Sequence, residues 1–329
     1  MDAITSYKNL GPDDILNALE EHDFHCDGRI LALNSYENRV YQIGIEDDKP
    51  VIAKFYRPGR WSDDTILEEH GFTLELVEHE LPVIAPMVGR DGNSLFHTGP
   101  FRFAIYARIG GRPPELDDPQ QLTQLGRCLA RLHNIGELNA FRHRRTLNVE
   151  QMARIPHDYI LTHDFIPPDL LQAYESVAED VIAQVDECFR QYGDYRALRL
   201  HGDCHLGNVL WHDGPFLVDF DDTCTGPAIQ DLWMFLSGDR NYMTARLHDL
   251  LDGYCEFRDF NAVELNLVEA LRSLRIIHYA GWLAMRWDDP AFPRAFPWFN
   301  TQRFWQDHVL SLREQSAAMQ EPPLEWQRY

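Results

Sequence analysis

No stretch of the sequence reaches the roughly 18 consecutive apolar residues that a membrane-spanning helix needs. The start, MDAITSYKNLGPDD, lacks the basic residues and apolar core of a secretory leader. Basic residues are scarce: 30 Lys and Arg stand against 52 Asp and Glu, a formal net charge of −22. Phosphate contacts need Lys and Arg surfaces, so the chain is a poor candidate for a general nucleic-acid or anionic-membrane binder, and neither partner is expected. The acidic balance suits a chain kept soluble by its charge, and is compatible with a cationic substrate. Cysteine is sparse as well. Cys26, Cys128, Cys188, Cys204, Cys224 and Cys255 are scattered, with no CxxC pair. That usage reads as reduced thiols in a cytoplasmic protein. Internal repeats, low-complexity tracts and a glycine-rich G-x-G-x-x-G are missing too.

What is present is ordinary for a globular chain. At 44% hydrophobic and 25% charged residues, a mostly disordered protein is ruled out, and 329 residues suit about two domains. Pro12-Asp13-Asp14 opens a helix to Glu21. Segments 39–45 and 51–57 are β-rich and flank the polar turn Glu46–Pro50, a hairpin signature. Ser62 caps a helix running to about Glu80, with Asp63 and Asp64 in its first turn. Strands are expected near 83–88 and 101–107, separated by the turn-rich Gly89–Gly99. After the linker Gly110–Pro114 helical periodicity takes over, at 119–136, 168–191, 228–237, 243–257, 262–287 and 301–319. One short β pair, 208–211 with 216–220, interrupts it.

The chemistry concentrates in LHGDCHLGNVLWHDGPFLVDFDD, residues 200–222. Asp203 is followed five positions later by Asn208, then by a hairpin ending at Asp219. In kinases this spacing supplies an aspartate that takes the proton of the attacking hydroxyl, and an Asn and an Asp that hold magnesium against phosphates. Magnesium prefers hard oxygen ligands, and Asn208 and Asp219 carry them. A zinc reading of His201, Cys204 and His205 lacks a fourth ligand with suitable spacing. His201 fits better as a support of the loop. Lys54, in the apolar strand Val51-Ile52-Ala53-Lys54, needs a counter-charge if buried, or else marks an edge strand facing water. In kinases such a lysine holds the α/β-phosphates and pairs with a helix glutamate. Helix 62–80 offers Glu68 and Glu69. At about 100° per residue, Ile66, Leu67, Leu74 and Val77 form one apolar sector, and Phe72 and Leu76 a second. Glu69 projects between them and is the chosen partner, leaving Glu68 as a solvated charge. Asp231 opens a helix and accepts hydrogen bonds that shape the loop around Asp203. Ser35, in Leu33–Val40, stands where a glycine-rich loop would cover phosphates, and its hydroxyl can donate to their oxygens. The same stretch also reads as a plain polar turn. The aromatic segment Arg286–Trp298 reads either as an acceptor groove or as a packed proline-rich loop.

Together these elements resemble the aminoglycoside phosphotransferase and choline kinase superfamily, a branch of the protein-kinase-like fold. Arg127–His133 is similar to the helix preceding that family's catalytic loop, and His201-Gly202-Asp203 replaces the kinase HRD. The blocks LNSYENRVYQ, KFYRPGRW, LHGDCHLGN, GPAIQDLWM and RWDDPAFPRAFPW resemble, more narrowly, the bacterial stress response kinase A group of YihE-type Ser/Thr protein kinases. The resemblance spans about residues 10–325. It implies an α+β, bilobal fold, with a nucleotide-binding lobe at 1–107 and a mainly helical catalytic and acceptor-binding lobe at 108–329. It implies ATP and magnesium as cofactors, Asp203 as proton acceptor, Asn208 and Asp219 as metal ligands, and Ser35 at the ATP site with Lys54 and Glu69. The implied activity is phosphorylation of protein Ser/Thr hydroxyls, the chain's own included, in a bacterial stress response. The kinase DFG reads here Asp219-Phe220-Asp221, and no APE-like segment or long activation loop follows. A small-molecule acceptor, such as an aminoglycoside, a choline-like amine or a sugar, is therefore the rival to a protein substrate. A monomer is expected.

Overall fold

The computed structural model describes Tyr7 and residues 10–327. Its α-helices are α1 (Pro12–Glu20), α2 (Asp63–Glu78), α3 (Pro119–Gly136), α4 (Ile155–Thr162), α5 (Leu171–Tyr192), α6 (Arg240–Tyr254), α7 (Val268–Ala284), α8 (Ala291–Ala295) and α9 (Gln302–Ala318). The strands are β1 (Cys26–Ala32), β2 (Arg39–Ile45), β3 (Val51–Phe55), β4 (Phe96–Thr98), β5 (Phe101–Ala107), β6 (Leu198–Leu200), β7 (Val209–Trp211), β8 (Pro215–Leu217) and β9 (Cys224–Gly226). Two compact units divide the chain. The first holds the residues up to Glu115 with Phe141–Arg144 and His205–Thr223, and the second Leu116–Ala140, Arg145–Cys204 and the chain from Cys224 on.

In the first unit five antiparallel strands form one sheet in the order β1-β2-β3-β5-β4. The two-residue period of a strand sorts its side chains between two faces. Ala53 and Phe55 of β3, with Phe103 and Ile105 of β5, pack on one face with Ile15, Ala18 and Leu19 of α1. Ala104 of β5 packs on the other with Ile66 of α2 and Tyr56. Lys54 falls between Ala53 and Phe55 and opposite Ala104, so the alternation turns it to this second face. Because β3 is central in the sheet, Lys54 is not an edge residue. Ser62 caps α2 as expected, its hydroxyl accepting from Thr65 N.

The segment His205–Thr223 joins this unit through main-chain pairing. Leu217 N donates to Pro82 O at 2.9 Å, Ile84 N donates to Leu217 O at 3.1 Å, and Arg112 bridges to Trp211. The expected strand at 83–88 is accordingly only two isolated bridges, Val83 to Leu217 and Pro86 to Tyr106. Pro82 and Pro86 have no N–H to extend a ladder. β1 was not expected. Gly28, with φ +85°, and a register shift between Cys26 and Ile30 disrupt its alternation. β4 lies inside the stretch expected to be turns.

The second unit is mainly helical, with the small ladder β6–β9. The helix expected at 228–237 is instead two 3-10 turns, Ala228–Asp231 and Trp233–Phe235. Ala228, Ile229, Leu232, Trp233 and Phe235 are all buried, so burial on every side rather than one helical face explains the apolar run. Asp231 therefore ends a tight turn and does not open a helix. The expected helix at 262–287 likewise begins as the 3-10 turn Ala262–Leu267, and α7 follows. Among the described residues no helix is long and apolar enough to cross a membrane.

Candidate functional site

In the first unit, Lys54 is the centre of a buried ion cluster. Its Nζ lies 2.9 Å from Asp219 Oδ1, 3.3 Å from Asp221 Oδ1 and 3.8 Å from Glu69 Oε1. Burial alone would lower the lysine's pKa. The three carboxylates outweigh it and hold the ammonium charged, well above the ordinary range. Glu69 does face Lys54, yet its shorter contact is with Arg144, whose guanidinium donates to Oε2 at 2.7 Å. Arg144 also donates to Thr65 O and Asp221 O, and lies over the Trp61 ring. Burial raises the Glu69 carboxyl, against the pull of Lys54 and Arg144. Asp221 is drawn the other way: Arg60 first, then Lys54, overcome its burial and keep it ionised. Arg60 binds Asp221 and reaches Asp222 Oδ1 at 2.7 Å.

Glu68 is not a solvated charge. Its carboxylate accepts from the backbone N–H groups of Arg142, His143 and Arg144, the last two at 2.8 Å. Burial pushes its carboxyl up, but these donors prevail and hold it below the ordinary glutamate range. Glu68 thus pins the segment that carries Arg144. The apolar sector drawn from the sequence is also revised: Leu67 and Val77 are exposed, and the buried face is Ile66, Glu69, His70, Phe72, Thr73 and Leu76. Behind the cluster, Tyr56 Oη lies 2.7 Å from His70 Nε2 and 3.0 Å from Tyr106 Oη.

Asn208 and Asp219 stand at the two ends of the β7–β8 hairpin. Val218 N donates to Asn208 O at 3.0 Å, which pairs the positions next to one another. Asp219 adopts the left-handed region, φ +60° and ψ +68°, and its side chain is 54% exposed. A non-glycine residue held there costs on the order of 1 kcal/mol or more, a cost met at functional sites. Ser35, half-buried, lies in the turn between β1 and β2. That turn is closed by Leu33 N donating to Val40 O, and it is tied to Arg57 through Asn38 Oδ1 and Glu37.

The donor set suits magnesium. Asn208 and the exposed Asp219 carboxylate offer hard oxygens with room for water and phosphate ligands. Glu37, Glu69, Asp219, Asp221 and Asp222 also outnumber Lys54, Arg57, Arg60 and Arg144, so the cluster carries an excess negative charge. Among the described residues no three His, Cys, Asp or Glu side chains are grouped to hold a metal, and His205 instead caps Gly207 N.

In the second unit the loop bearing Asp203 is shaped by Asp231, which is fully buried. Asp231 Oδ2 accepts from His201 N and Oδ1 from Gly202 N, both at 2.8 Å. His133 Nε2 lies 3.2 Å from Asp231 Oδ2, and its Nδ1 2.8 Å from Tyr254 Oη. Gln230 donates to Gly202 O, and Gly202 has φ +87°. Asp203 N donates to His201 Nδ1 at 3.4 Å. The Asp203 carboxylate accepts from Arg275 of α7. Asp221, Arg60, Arg144 and Arg275 were not found from sequence. Only Asp221 carried a signal, as the third residue of Asp219-Phe220-Asp221.

The fold, a five-stranded sheet with its helix followed by a helical part, is kinase-like, and the comparisons with known proteins agree. The sequence model of the phosphotransferase enzyme family (APH) matches residues 29–265. Among solved structures, the amicoumacin kinase hAmiN aligns over 95% of both chains, with a TM-score of 0.72 and 19% identity. A microcompartment-associated aminopropanol kinase aligns over 94% of this chain and 96% of its own, with a TM-score of 0.71 and 16% identity. At such identities these two speak for the fold alone. The chain belongs to the phosphotransferase enzyme family and, within it, to the stress response kinase A group. It is 43% identical to Stress response kinase A of Escherichia coli (strain K12) over 97% of each chain. It is 42% identical, over the same shares, to the serine/threonine protein kinase RdoA of Salmonella typhimurium.

Proposed function

We propose that this protein transfers the γ-phosphoryl group of ATP to Ser/Thr hydroxyls of proteins, its own among them, as part of a bacterial stress response. The enzyme class rests on kinship: by homology this is a serine/threonine protein kinase. The observation that carries the chemistry is Lys54, a buried cation 2.9 Å from Asp219 at the end of the hairpin that begins with Asn208. In this reading Lys54 holds the nucleotide phosphates, and Glu69 with Arg144 keeps the lysine in place. Ser35 and the backbone of its turn donate to phosphate oxygens. Asn208 and Asp219 hold magnesium, which when bound neutralises charge on the transferring phosphoryl group. Asp203, on a loop fixed by Asp231, accepts the proton of the attacking hydroxyl. The remaining catalysis is positioning and charge stabilisation. The reaction belongs in the cytoplasm, where ATP is at hand.

The test is incubation of the purified protein with magnesium and γ-labelled ATP, beside Asp203→Ala. Wild type should place label on Ser/Thr of proteins, and the variant should transfer about 100-fold more slowly or worse while still binding nucleotide. Undiminished transfer by the variant overturns the assignment of Asp203. Asp219→Ala should weaken nucleotide binding in proportion to its magnesium dependence, and an unchanged magnesium titration refutes that role.

One observation favours a second reading. Only the turn Phe220–Asp222 and Thr223 separate Asp219 from β9, so the long segment that organises a protein substrate in many kinases has no counterpart here. A small-molecule hydroxyl is then the acceptor, and label confined to an amino alcohol, an aminoglycoside or a sugar decides for it.

A further inference from the structure

The pair Asp203–Arg275 lies within the second unit, with side chains 27% and 43% exposed. A hydroxyl that gives its proton to Asp203 must come within hydrogen-bond reach of that carboxylate. It must therefore also come within a few ångströms of the guanidinium already bound there. One turn along α7, Tyr279 follows Arg275 on the same face of the helix and is exposed. Tyr279 stacks on Trp282, with centroids 5.8 Å apart, and on Trp298 at 6.5 Å. A bare aromatic ledge attracts ammonium groups. This one already carries the Arg286 guanidinium over Trp282, at 5.2 Å from the ring centroid. The ledge thus carries one arginine over Trp282 and begins one helical turn after a second, Arg275, although the whole chain has a net charge of −22. Once Asp203 takes up the hydroxyl's proton it no longer offsets Arg275, and that charge next to the reacting hydroxyl outweighs charge spread over a distant, screened surface.

We infer that Arg275 is a specificity-determining residue, selecting acceptor hydroxyls flanked by acidic or neutral groups and turning away ammonium-bearing ones. The inference rests on the reading of Asp203 as proton acceptor. It deepens that reading by naming the charge of the acceptor, and it opposes the expectation drawn from net charge.

The experiment compares kcat/KM within matched acceptor pairs that differ only in charge. One pair is a serine peptide with acidic or with basic flanks, and the other an amino alcohol and its neutral diol. Wild type, Arg275→Lys, Arg275→Glu and Asp203→Ala are assayed with magnesium and ATP. Taking the ratio within each protein cancels any general loss of activity. Wild type should favour the acidic or neutral member by about tenfold or more, a difference of about 1.4 kcal/mol. Arg275→Lys should keep that preference, and Arg275→Glu should reverse it. An unchanged ratio in Arg275→Glu overturns the inference, as does a wild-type preference for the cationic member. So does wild-type transfer to none of the four while self-labelling persists. Asp203→Ala separates the two claims. Transfer surviving in it refutes the assignment of Asp203, whereas transfer lost in it beside an unchanged Arg275→Glu ratio refutes only the role of Arg275.

Discussion

The two units hold their buried carboxylates in different ways. In the first, Glu69 and Asp221 are met by side-chain cations: Lys54, Arg60 and Arg144. In the second, Asp231 is met by the backbone N–H groups of His201 and Gly202 and by His133. Charge held by charge is an adjustable balance, because an incoming phosphate or divalent ion changes the sum. A carboxylate held by main-chain donors fixes the path of the loop instead. The first arrangement leaves its charges adjustable, and the second holds the loop that carries Asp203 on one path.

The contrast is tested most severely by breaking one member of each set. Arg144→Ala removes a fully buried guanidinium and leaves Glu69 and two carbonyl oxygens, Thr65 O and Asp221 O, without it. Breaking a buried pair from one side costs about 3–5 kcal/mol, and urea denaturation should register a loss of that order. Asp231→Asn keeps one oxygen acceptor but turns an NH2 toward a backbone donor. Its expected cost is smaller, about 1–3 kcal/mol, with a larger loss of transfer than of nucleotide binding. Equal losses of stability in the two variants would erase the distinction drawn above.

Acidity separates the units with opposite signs. In the first, burial, helped by the nearby Lys54 and Arg144 charges, pushes His70 down to about 3. The unfolded chain takes up a proton near pH 6.5 that the folded one refuses, so this contribution is intact above that pH. It is lost progressively as pH falls toward 3. In the second, burial raises Glu264 to about 7, despite backbone donors at Ile229 and Ala228. A raised carboxyl stabilises fully below the unfolded value near 4.5, and that stability is lost as pH rises through about 7. Glu264→Gln should therefore gain on wild type between pH 4.5 and 7.5, by roughly 3 kcal/mol. His70→Gln should gain on wild type as pH falls from 7 to 5, by roughly 2 kcal/mol. Denaturant midpoints across pH check both, and parallel curves for variant and wild type would refute the corresponding burial argument.

Much of this was legible in the sequence where the signal is local. The hairpin β2–β3, the Ser62 cap with its two aspartates, α3 and the spacing from Asp203 to Asp219 are all short-range patterns. What was missed depends on distance or on interrupted patterns. Arg144 lies 75 residues from Glu69, and Arg275 lies 72 from Asp203, so no spacing rule links them. β1 hid behind Gly28 and a register shift, while the apolar run at 83–88 masked Pro86 within it and Pro82 just before it. The 228–237 segment is apolar because it is enclosed on every side, which helical periodicity alone does not reveal. Asp221 is visible as the third residue of Asp219-Phe220-Asp221, but only the fold shows it to be a carboxylate beside Lys54.

The mildest expected effect belongs to Glu68, which combines both modes of the comparison. It is a charged side chain on α2, yet it binds main-chain donors, those of residues 142–144. Its two oxygens serve three N–H groups, while a glutamine offers one oxygen and a competing NH2. Glu68→Gln should therefore lose about 1 kcal/mol or less, far below the loss for Arg144→Ala. The damage should be local, read as faster hydrogen exchange at the amides of Arg142, His143 and Arg144. Because those amides anchor the residue that grips Glu69, a modest rise in KM for ATP should accompany it. Exchange that stays as slow as in wild type would mean that Arg144, not Glu68, holds the segment, and the order of dependence argued here would be reversed.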